Sequence, residues 1–199
     1  MRGNASVAVL RVLRRCCRAV SRRERTGVAA IEFALYSVVF LSILAGTVDI
    51  GNLIFSEFQL DASISSGAQY AVVNASLVES TDGPTLAKSI SAIVNNSHTN
   101  SGGWTNTVVV NNGPTVTTTN DTASSSGTAS NADSYYCPTG TPGSWTWGSA
   151  KTAGTSCGSN KIAGKFVTIT SSRTLAPFFP AWGFVTNGTI TRYAIVQVQ

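Results

Sequence analysis

The sequence predicts an α+β fold in which one long N-terminal helix packs on a small antiparallel β-sheet. Three observations support this prediction. An uncharged apolar run extends from Phe33 to Val48. A helical pattern starts near Ala29 and continues beyond the run to Asn74. The C-terminal half alternates β-prone segments with turns rich in Gly, Asn and Pro. We therefore expect the second half of the helix to lie against the sheet that follows it.

The first half of this helix, residues 28–55, has the composition of a membrane span. Its uncharged run of 16 residues would measure about 24 Å as a helix, against a hydrocarbon core of roughly 30 Å. Glu32 and Asp49 therefore lie near the two interfaces, or Glu32 has a partner inside the membrane. A cleaved secretory signal is the alternative, but the apolar stretch is longer than a usual signal core and no compact A-x-A site precedes a polar segment.

The net charge of +5 is a property of the N-terminus. Eight of the 14 Lys and Arg residues lie within the first 25 positions, whereas six basic and seven acidic residues follow from Asp49 onward. Aromatic residues are not interleaved with the basic ones, so a nucleic-acid-binding surface is not predicted. Basic residues beside a span hold that end in the cytoplasm. The sequence thus predicts a cytoplasmic leader, residues 1–27, and an exported C-terminal domain.

Residues 56–80 are predicted to continue the helix as an amphipathic segment. Its predicted apolar stripe recurs at spacings of three and four and contains Phe58, Ala62, Ser65, Ala68 and Val72, with Ile64, Ala71 and Ala75 alongside. The predicted polar face contains Glu57, Asp61, Ser66 and Gln69.

Residues 81–199 are predicted to form a β-rich exported domain. Asp-Gly-Pro at 82–84 breaks the long helix, and a short amphipathic helix, Thr85–Asn95, is expected next. The predicted strands are residues 107–110, 115–118, 165–171 and 189–198, with a turn at Asn111–Pro114 between the first two. Residues 119–134 carry no large apolar side chain and are predicted to be a mobile exposed loop, and 137–158 a second irregular loop.

The four cysteines divide between the two sides of the span. Cys16 and Cys17 precede it and are expected to stay reduced, whereas Cys137 and Cys157 follow it and face an oxidising compartment. A disulfide between Cys137 and Cys157 is therefore expected, closing the second loop.

Two tryptophans, Trp145 and Trp147, lie inside the loop that this disulfide would close. They are either exposed for a partner or packed beneath the loop as a small satellite core. Burial is the commoner fate of aromatic side chains.

No catalytic or metal-binding set is apparent in the sequence. His98 is the only histidine and stands among Asn and Ser at an expected helix end. No nucleophile lies beside an activating base in a known motif, no phosphate-cradling glycine loop occurs, and neither a C-x-x-C pair nor a second histidine accompanies the cysteines. The sequence therefore predicts a protein without enzymatic activity, cofactor or metal.

The stretch Arg22–Phe33 joins basic residues to Gly27, four apolar residues, Glu32 and Phe33. This arrangement resembles the type IV prepilin signal. Together with Val48–Gly51 and Ser66–Ala71, the run is more specifically similar to TadE-like proteins, the pseudopilins of the tight-adherence (Flp) pilus machinery. The resemblance covers residues 22–75. Family members often carry Pro where this chain has Tyr36–Val38 and usually carry Arg at the position of Gln69.

The resemblance implies a pilin-like fold and cleavage by a prepilin peptidase between Gly27 and Val28. It also implies family-motif roles for Phe33, Asp49, Gly51, Gly67 and Tyr70. Because glycine has no side chain, a peptidase can approach the backbone closely, and we expect an extended segment at Gly27.

Cleavage would create an α-amino group on Val28, one helical turn from the Glu32 carboxylate. A carboxylate in the membrane needs a partner, which is this amine or that of a neighbouring subunit. The resemblance implies the intersubunit pair, which sets the axial register of packed helices. Alternatively, Glu32 is solvated at the interface and paired with Arg23 or Arg25.

The implied function is a non-enzymatic pilus assembly subunit in the bacterial inner membrane. Its implied partners are membrane lipid, the prepilin peptidase, other pilin or pseudopilin subunits and the assembly platform, without nucleic acid. The alternative is an uncleaved single-pass envelope protein whose exterior domain binds a ligand or partner. A membrane-tethered enzyme is a third hypothesis, but the sequence shows no set of catalytic residues that would support it.

Overall fold

The computed structural model describes residues 5–97, 102–158, 160–176 and 188–199, with side chains described from Gly27 onward. The expectations for the side chains of Cys16 and Cys17 and for His98 therefore lie outside the part of the chain that the structure describes. Helix α1 (Ala5–Val73) is followed by a 3₁₀ turn (Ala75–Leu77) and helix α2 (Gly83–Asn96). The described strands are β1 (Trp104–Val110), β2 (Thr115–Thr119), β3 (Thr122–Ser126), β4 (Thr139–Thr141), β5 (Ser144–Thr146), β6 (Ser156–Gly158), β7 (Lys161–Ile162), β8 (Phe166–Thr174) and β9 (Thr189–Gln197).

The main sheet has the strand order β3-β2-β1-β8-β9 among the described residues, and its neighbouring strands are antiparallel. Val108 in β1 pairs with Val116 on one side and Ile169 on the other. A short 3₁₀ helix, Ala129–Asp133, follows β3. The predicted α+β fold, with a long N-terminal helix and a small antiparallel sheet, is confirmed.

Helix α1 starts much earlier than the predicted residue 29. It begins at Ala5, because residues 5–26 contain neither Pro nor Gly to interrupt it. It ends at Val73, one residue before the predicted end, and residues 74–80 form turns instead of the expected amphipathic continuation. The chain divides into two compact units between Asp49 and Ile50.

The buried stripe of α1 differs from the predicted one. The buried positions within the second unit are Ser56, Leu60, Ser63, Ile64, Gly67 and Ala71. Phe58 is 69% exposed and Val72 is 53% exposed, so the predicted stripe through these residues is wrong. The two stripes have the same spacing and differ by a rotation about the helix axis, so spacing did not distinguish them. The observed stripe contains Gly67, which lets the helix approach Val94 and Ile169 closely.

Helix α2 packs on the inner face of the sheet. Pro84 is in its first turn, where the missing N–H costs nothing. Leu86, Ile90 and Val94 are buried on its inner face. Together with α1, they enclose the main core against alternate residues of the central strands: Val108, Val110, Val116, Val167 and Ile169.

The segment predicted as a mobile loop, residues 119–134, contains regular structure. Its residues 122–126 form β3, which pairs with β2 along its whole length. The loop prediction is wrong here because strand formation at a sheet edge requires backbone hydrogen bonds and no large apolar side chain. The connecting residues Asn120 and Asp121 have φ angles of 45° and 65°, which is the left-handed geometry of a two-residue hairpin turn.

The loop between Cys137 and Cys157 is closed by the predicted disulfide. Instead of being wholly irregular, it contains the hairpin β4–β5. Trp145 and Trp147 are half-buried. The Trp145 ring centroid lies 6.4 Å from that of Phe166, and the Trp147 centroid lies 5.7 Å from that of Tyr136. The tryptophans therefore form the satellite core that was one of the two interpretations.

Gly67 marks the closest approach of α1 to the rest of the domain. A Cβ atom at this position would lie 2.7 Å from Val94 Cγ2 and 3.0 Å from Ile169 Cδ1. Both neighbours are buried, and β-branched side chains have little rotamer freedom. We predict that Gly67→Ala destabilises the domain, because overpacking costs about 1–3 kcal/mol and exceeds the roughly 1 kcal/mol gained in helix propensity. Thermal unfolding of the full chain in detergent measures the effect.

Gly51 provides the matched control. A Cβ atom there would meet nothing within 4 Å, so Gly51→Ala should leave the midpoint unchanged or raise it slightly. Equal midpoints for Gly67→Ala and the wild type would contradict close packing at Gly67.

The disulfide is predicted to stabilise the domain by about 3 kcal/mol in the loop-entropy model, given its sequence separation of 20 residues. The double variant Cys137→Ala, Cys157→Ala should lose that amount in urea titrations followed by tryptophan fluorescence. Cys16→Ala, Cys17→Ala is the control, since both residues precede the predicted span. A double variant at positions 137 and 157 as stable as the wild type would refute the stapling role.

Candidate functional site

Gly27 lies within α1 and not in an extended segment. The expectation of extended chain at the cleavage position is therefore wrong in this structure, because the helical residues on both sides carry the helix through the glycine. A Cβ atom at Gly27 would meet nothing within 4 Å. The fold therefore does not require glycine at this position.

Val28 and Glu32 follow on the exposed surface of the helix. They are four residues apart, so the backbone nitrogen of Val28 and the position of Glu32 are separated by about 6 Å along the axis. Side chains four residues apart lie on the same helix face. In the helix, Glu32 therefore lies about one turn from the backbone nitrogen of Val28. The alternative pairing of Glu32 with Arg23 or Arg25 lies outside the described side chains.

The apolar segment after Gly27 is a candidate membrane span by length and composition. None of its most apolar 18-residue window is buried, and Phe33 is 75% exposed. The hydroxyl groups of Ser37, Ser42 and Thr47 donate to helix carbonyls three or four residues earlier, at 2.8–2.9 Å. These bonds satisfy polar side chains without water, as a lipid environment requires.

The remaining motif residues have different surroundings. Asp49 is half-buried and Gly51 is exposed. Gly67 is buried at the contact with α2 and β8. Tyr70 is half-buried against the main core, and its carbonyl accepts a bond of 2.8 Å from Asn74 Nδ2. Gly67 and Tyr70 therefore hold the second half of α1 against α2 and the sheet.

Arg192 on β9 fastens the second half of α1 to the sheet. Its guanidinium group lies 3.0 Å from Glu57 Oε1 and 3.2 Å from Asp61 Oδ1. The two carboxylates are four residues apart and so lie on one helix face. All three side chains are partly exposed, so the pairs contribute orientation more than stability.

Arg173 on β8 makes the second attachment. It donates to Ser56 Oγ at 2.7 Å, and its guanidinium carbon lies 4.7 Å from the centre of the Trp104 ring. Burial lowers the pKa of Arg173 from its usual value, but an arginine remains charged at neutral pH. The contact places a cation over the face of an aromatic ring, a favourable arrangement when partly desolvated.

Sequence reasoning missed both arginines. A signal was present, because Arg173 and Arg192 are the only arginines after Arg25, and both lie on the predicted terminal strands or next to them. Their partners on α1 could not be assigned, since the helix rotation was predicted wrongly. Among the residues that the structure describes, no group of three or more His, Cys, Asp or Glu could hold a metal ion.

A comparison with protein families gives a match between residues 27–69 and the model described as TadE-like protein. No curated protein and no solved structure gives a significant match to the chain. The matched segment starts at Gly27 and contains Glu32, Phe33, Asp49, Gly51 and Gly67. Over residues 27–69, the chain is therefore similar to TadE-like proteins.

Proposed function

We propose that this protein is a non-enzymatic pseudopilin, anchored in the membrane by α1 and assembled into pilus machinery through that helix. The TadE-like match and the candidate membrane helix support a pilus-associated membrane protein. The observation that carries the proposed cleavage and assembly is the position of Gly27. The family match begins at this residue, after a basic segment that lies outside the match.

The first proposed step is cleavage between Gly27 and Val28 by a prepilin peptidase. A peptidase needs an extended backbone, so the helix must unwind locally at the bond to be cut. Glycine favours that unwinding, because it destabilises a helix by roughly 1 kcal/mol relative to alanine. The open surroundings of Gly27 also let an enzyme reach the backbone. Gly27 thus serves processing and not packing.

The second proposed step is assembly through the span. Cleavage leaves a positive amine on Val28 beside the Glu32 carboxylate, and a charged carboxylate is costly in lipid without such a partner. We place the amine on a neighbouring subunit, which fixes the axial register of the two helices. The exposed apolar surface around Glu32 can be covered by lipid and by those neighbours.

The proposed location is the bacterial inner membrane, with the basic segment in the cytoplasm and the C-terminal domain in the periplasm or outside the cell. The partners are membrane lipid, the peptidase, other pilin or pseudopilin subunits and the assembly platform. The Cys137–Cys157 disulfide supports a location of the C-terminal domain in an oxidising compartment, because disulfides form and persist there.

Gly27→Ala tests the processing role. Alanine fits the structure without a clash, but it raises the cost of local unwinding by about 1 kcal/mol, which slows cleavage roughly fivefold, and its methyl group hinders access further. Processing is followed by gel mobility in cells that contain a prepilin peptidase. Gly51→Ala, an equally open glycine, is the control and should be processed normally. Unchanged processing of Gly27→Ala would count against the proposed cut.

Glu32→Gln tests the pairing role. Removing one partner of a desolvated ion pair costs about 3–5 kcal/mol, so cleavage should proceed while co-purification with other pilin subunits falls at least about tenfold. Glu57→Gln, which removes an exposed pair on the same helix, should change assembly little. If both variants assemble equally well, Glu32 is solvated at the interface, and the pairing proposal fails while the processing proposal stands.

A further inference from the structure

Strand β3 forms an uncovered edge of the sheet. All five of its residues, Thr122–Ser126, are exposed. The strand contains no charged residue, no proline and no glycine, and its register with β2 shifts nowhere. Natural sheets usually protect an edge strand with a charged residue, a proline, a bulge or a covering element. An edge that lacks such protection is available for pairing with another strand.

The hairpin geometry shows which groups face outward. In a two-residue turn, the residues that flank the loop form a hydrogen-bonded pair, here Thr119 and Thr122. Hydrogen-bonded and non-hydrogen-bonded pairs alternate along an antiparallel ladder. Ala123 and Ser125 therefore direct their backbone N–H and C=O groups away from β2, toward the open edge.

The opposite edge, β9, differs from β3. Its Arg192 is bound to Glu57 and Asp61 of α1. The β4–β5 turn contacts Tyr193, since a Cβ atom on Gly143 would lie 2.8 Å from the Tyr193 ring. The β9 edge thus carries a charge and neighbouring elements, and β3 is the edge open to pairing within the described part of the chain.

A groove runs beside β3 on the side of α2. It encloses about 230 Å³ and is lined by Pro84 and Lys88 of α2 and by Pro114, Val116 and Ser125 of the sheet region. This volume is smaller than the usual range for small-molecule pockets, roughly 300–1,000 Å³, and suits one or two side chains. Lys88 is the one charged residue of the lining and makes no ion pair with another described residue.

We propose that β3 and this groove bind an extended acidic segment of another protein, which adds to the sheet as a sixth strand. The backbone of the segment pairs with Ala123 and Ser125. One apolar side chain enters the groove between Pro84 and Val116, and a neighbouring carboxylate meets Lys88. An edge strand beside a helix provides affinity through backbone bonds and specificity through the groove. This surface is separate from the processing segment and does not depend on it.

Charge favours a foreign partner over a second copy of β3. The β3 sequence itself has no carboxylate to offer to Lys88. The carboxylate next to it in the chain, Asp121, already accepts a bond of 2.8 Å from Asn95 Nδ2. An acidic segment offers Lys88 a carboxylate of its own and pairs with the strand edge at the same time.

The test is selection of a displayed random heptapeptide library on the full chain in lipid nanodiscs. We expect enrichment of β-prone sequences that carry Asp or Glu, followed by direct binding of a labelled selected peptide. Replacing its acid by the matching amide should weaken binding about tenfold, as expected for loss of a charge-assisted contact.

Ser125→Pro removes one outward N–H without affecting the bonds to β2, since proline is tolerated at such edge positions. It should weaken binding of the selected peptide by about tenfold or more. The control Ser124→Ala, which keeps both outward N–H groups and lies outside the groove lining, should bind as the wild type does. Circular dichroism verifies the fold. Lys88→Glu, which leaves the sheet unchanged, should lose the acidic peptides and select basic ones.

Three results would overturn the proposal. The library may yield no enriched sequence, Ser125→Pro may bind the selected peptide normally, or Lys88→Glu may retain the acidic preference. Dimers of the full chain that Ser125→Pro abolishes, in the absence of peptide binding, would assign the edge to a second copy instead. None of these results bears on cleavage after Gly27.

Discussion

The structure depends on how the surface of one helix is distributed between two environments. From Val28 to Leu44, α1 exposes apolar side chains on every face, and water would make that exposure unfavourable at about 25 cal/mol per Å². From Ser56 to Ala71 the same helix has a single buried stripe against α2 and the sheet. Lipid can cover the first surface, and α2 and the sheet cover the second. The rest of the fold depends on where along α1 the first surface gives way to the second.

Helix α2 and the sheet hold the second half of α1 by a close contact and two polar attachments. Gly67 allows the helix to approach Val94 and Ile169. Arg173 and Arg192 reach from β8 and β9 to the polar flank of the helix. The contacts fix the rotation of the helix relative to the sheet, which leaves Phe58 and Val72 on the exposed face.

The sequence predicts the features that rest on local patterns. The long helix, the hairpin at Asn111–Pro114 and the Cys137–Cys157 disulfide follow from periodicity, turn chemistry and compartment, and the structure confirms them. The rotation of α1 about its axis could not be predicted from the sequence, because two stripes had equal spacing. The tertiary contact at Gly67 determines which of the two is buried. Strand β3 could not be predicted from side-chain patterns either, because it is stabilised by backbone pairing with β2 and not by its side chains. Asn120-Asp121 between two Thr- and Ser-rich runs was the available signal for that hairpin.

The central claim is that α1 is cut after Gly27 and that the shortened helix is the functional form. The most direct measurement is the intact mass and N-terminal residue of the wild-type protein extracted from membranes of a host with a working prepilin peptidase. We expect a chain that begins at Val28. A chain that retains the basic segment would contradict the proposed cleavage and would favour an uncleaved envelope protein that acts through its exterior domain.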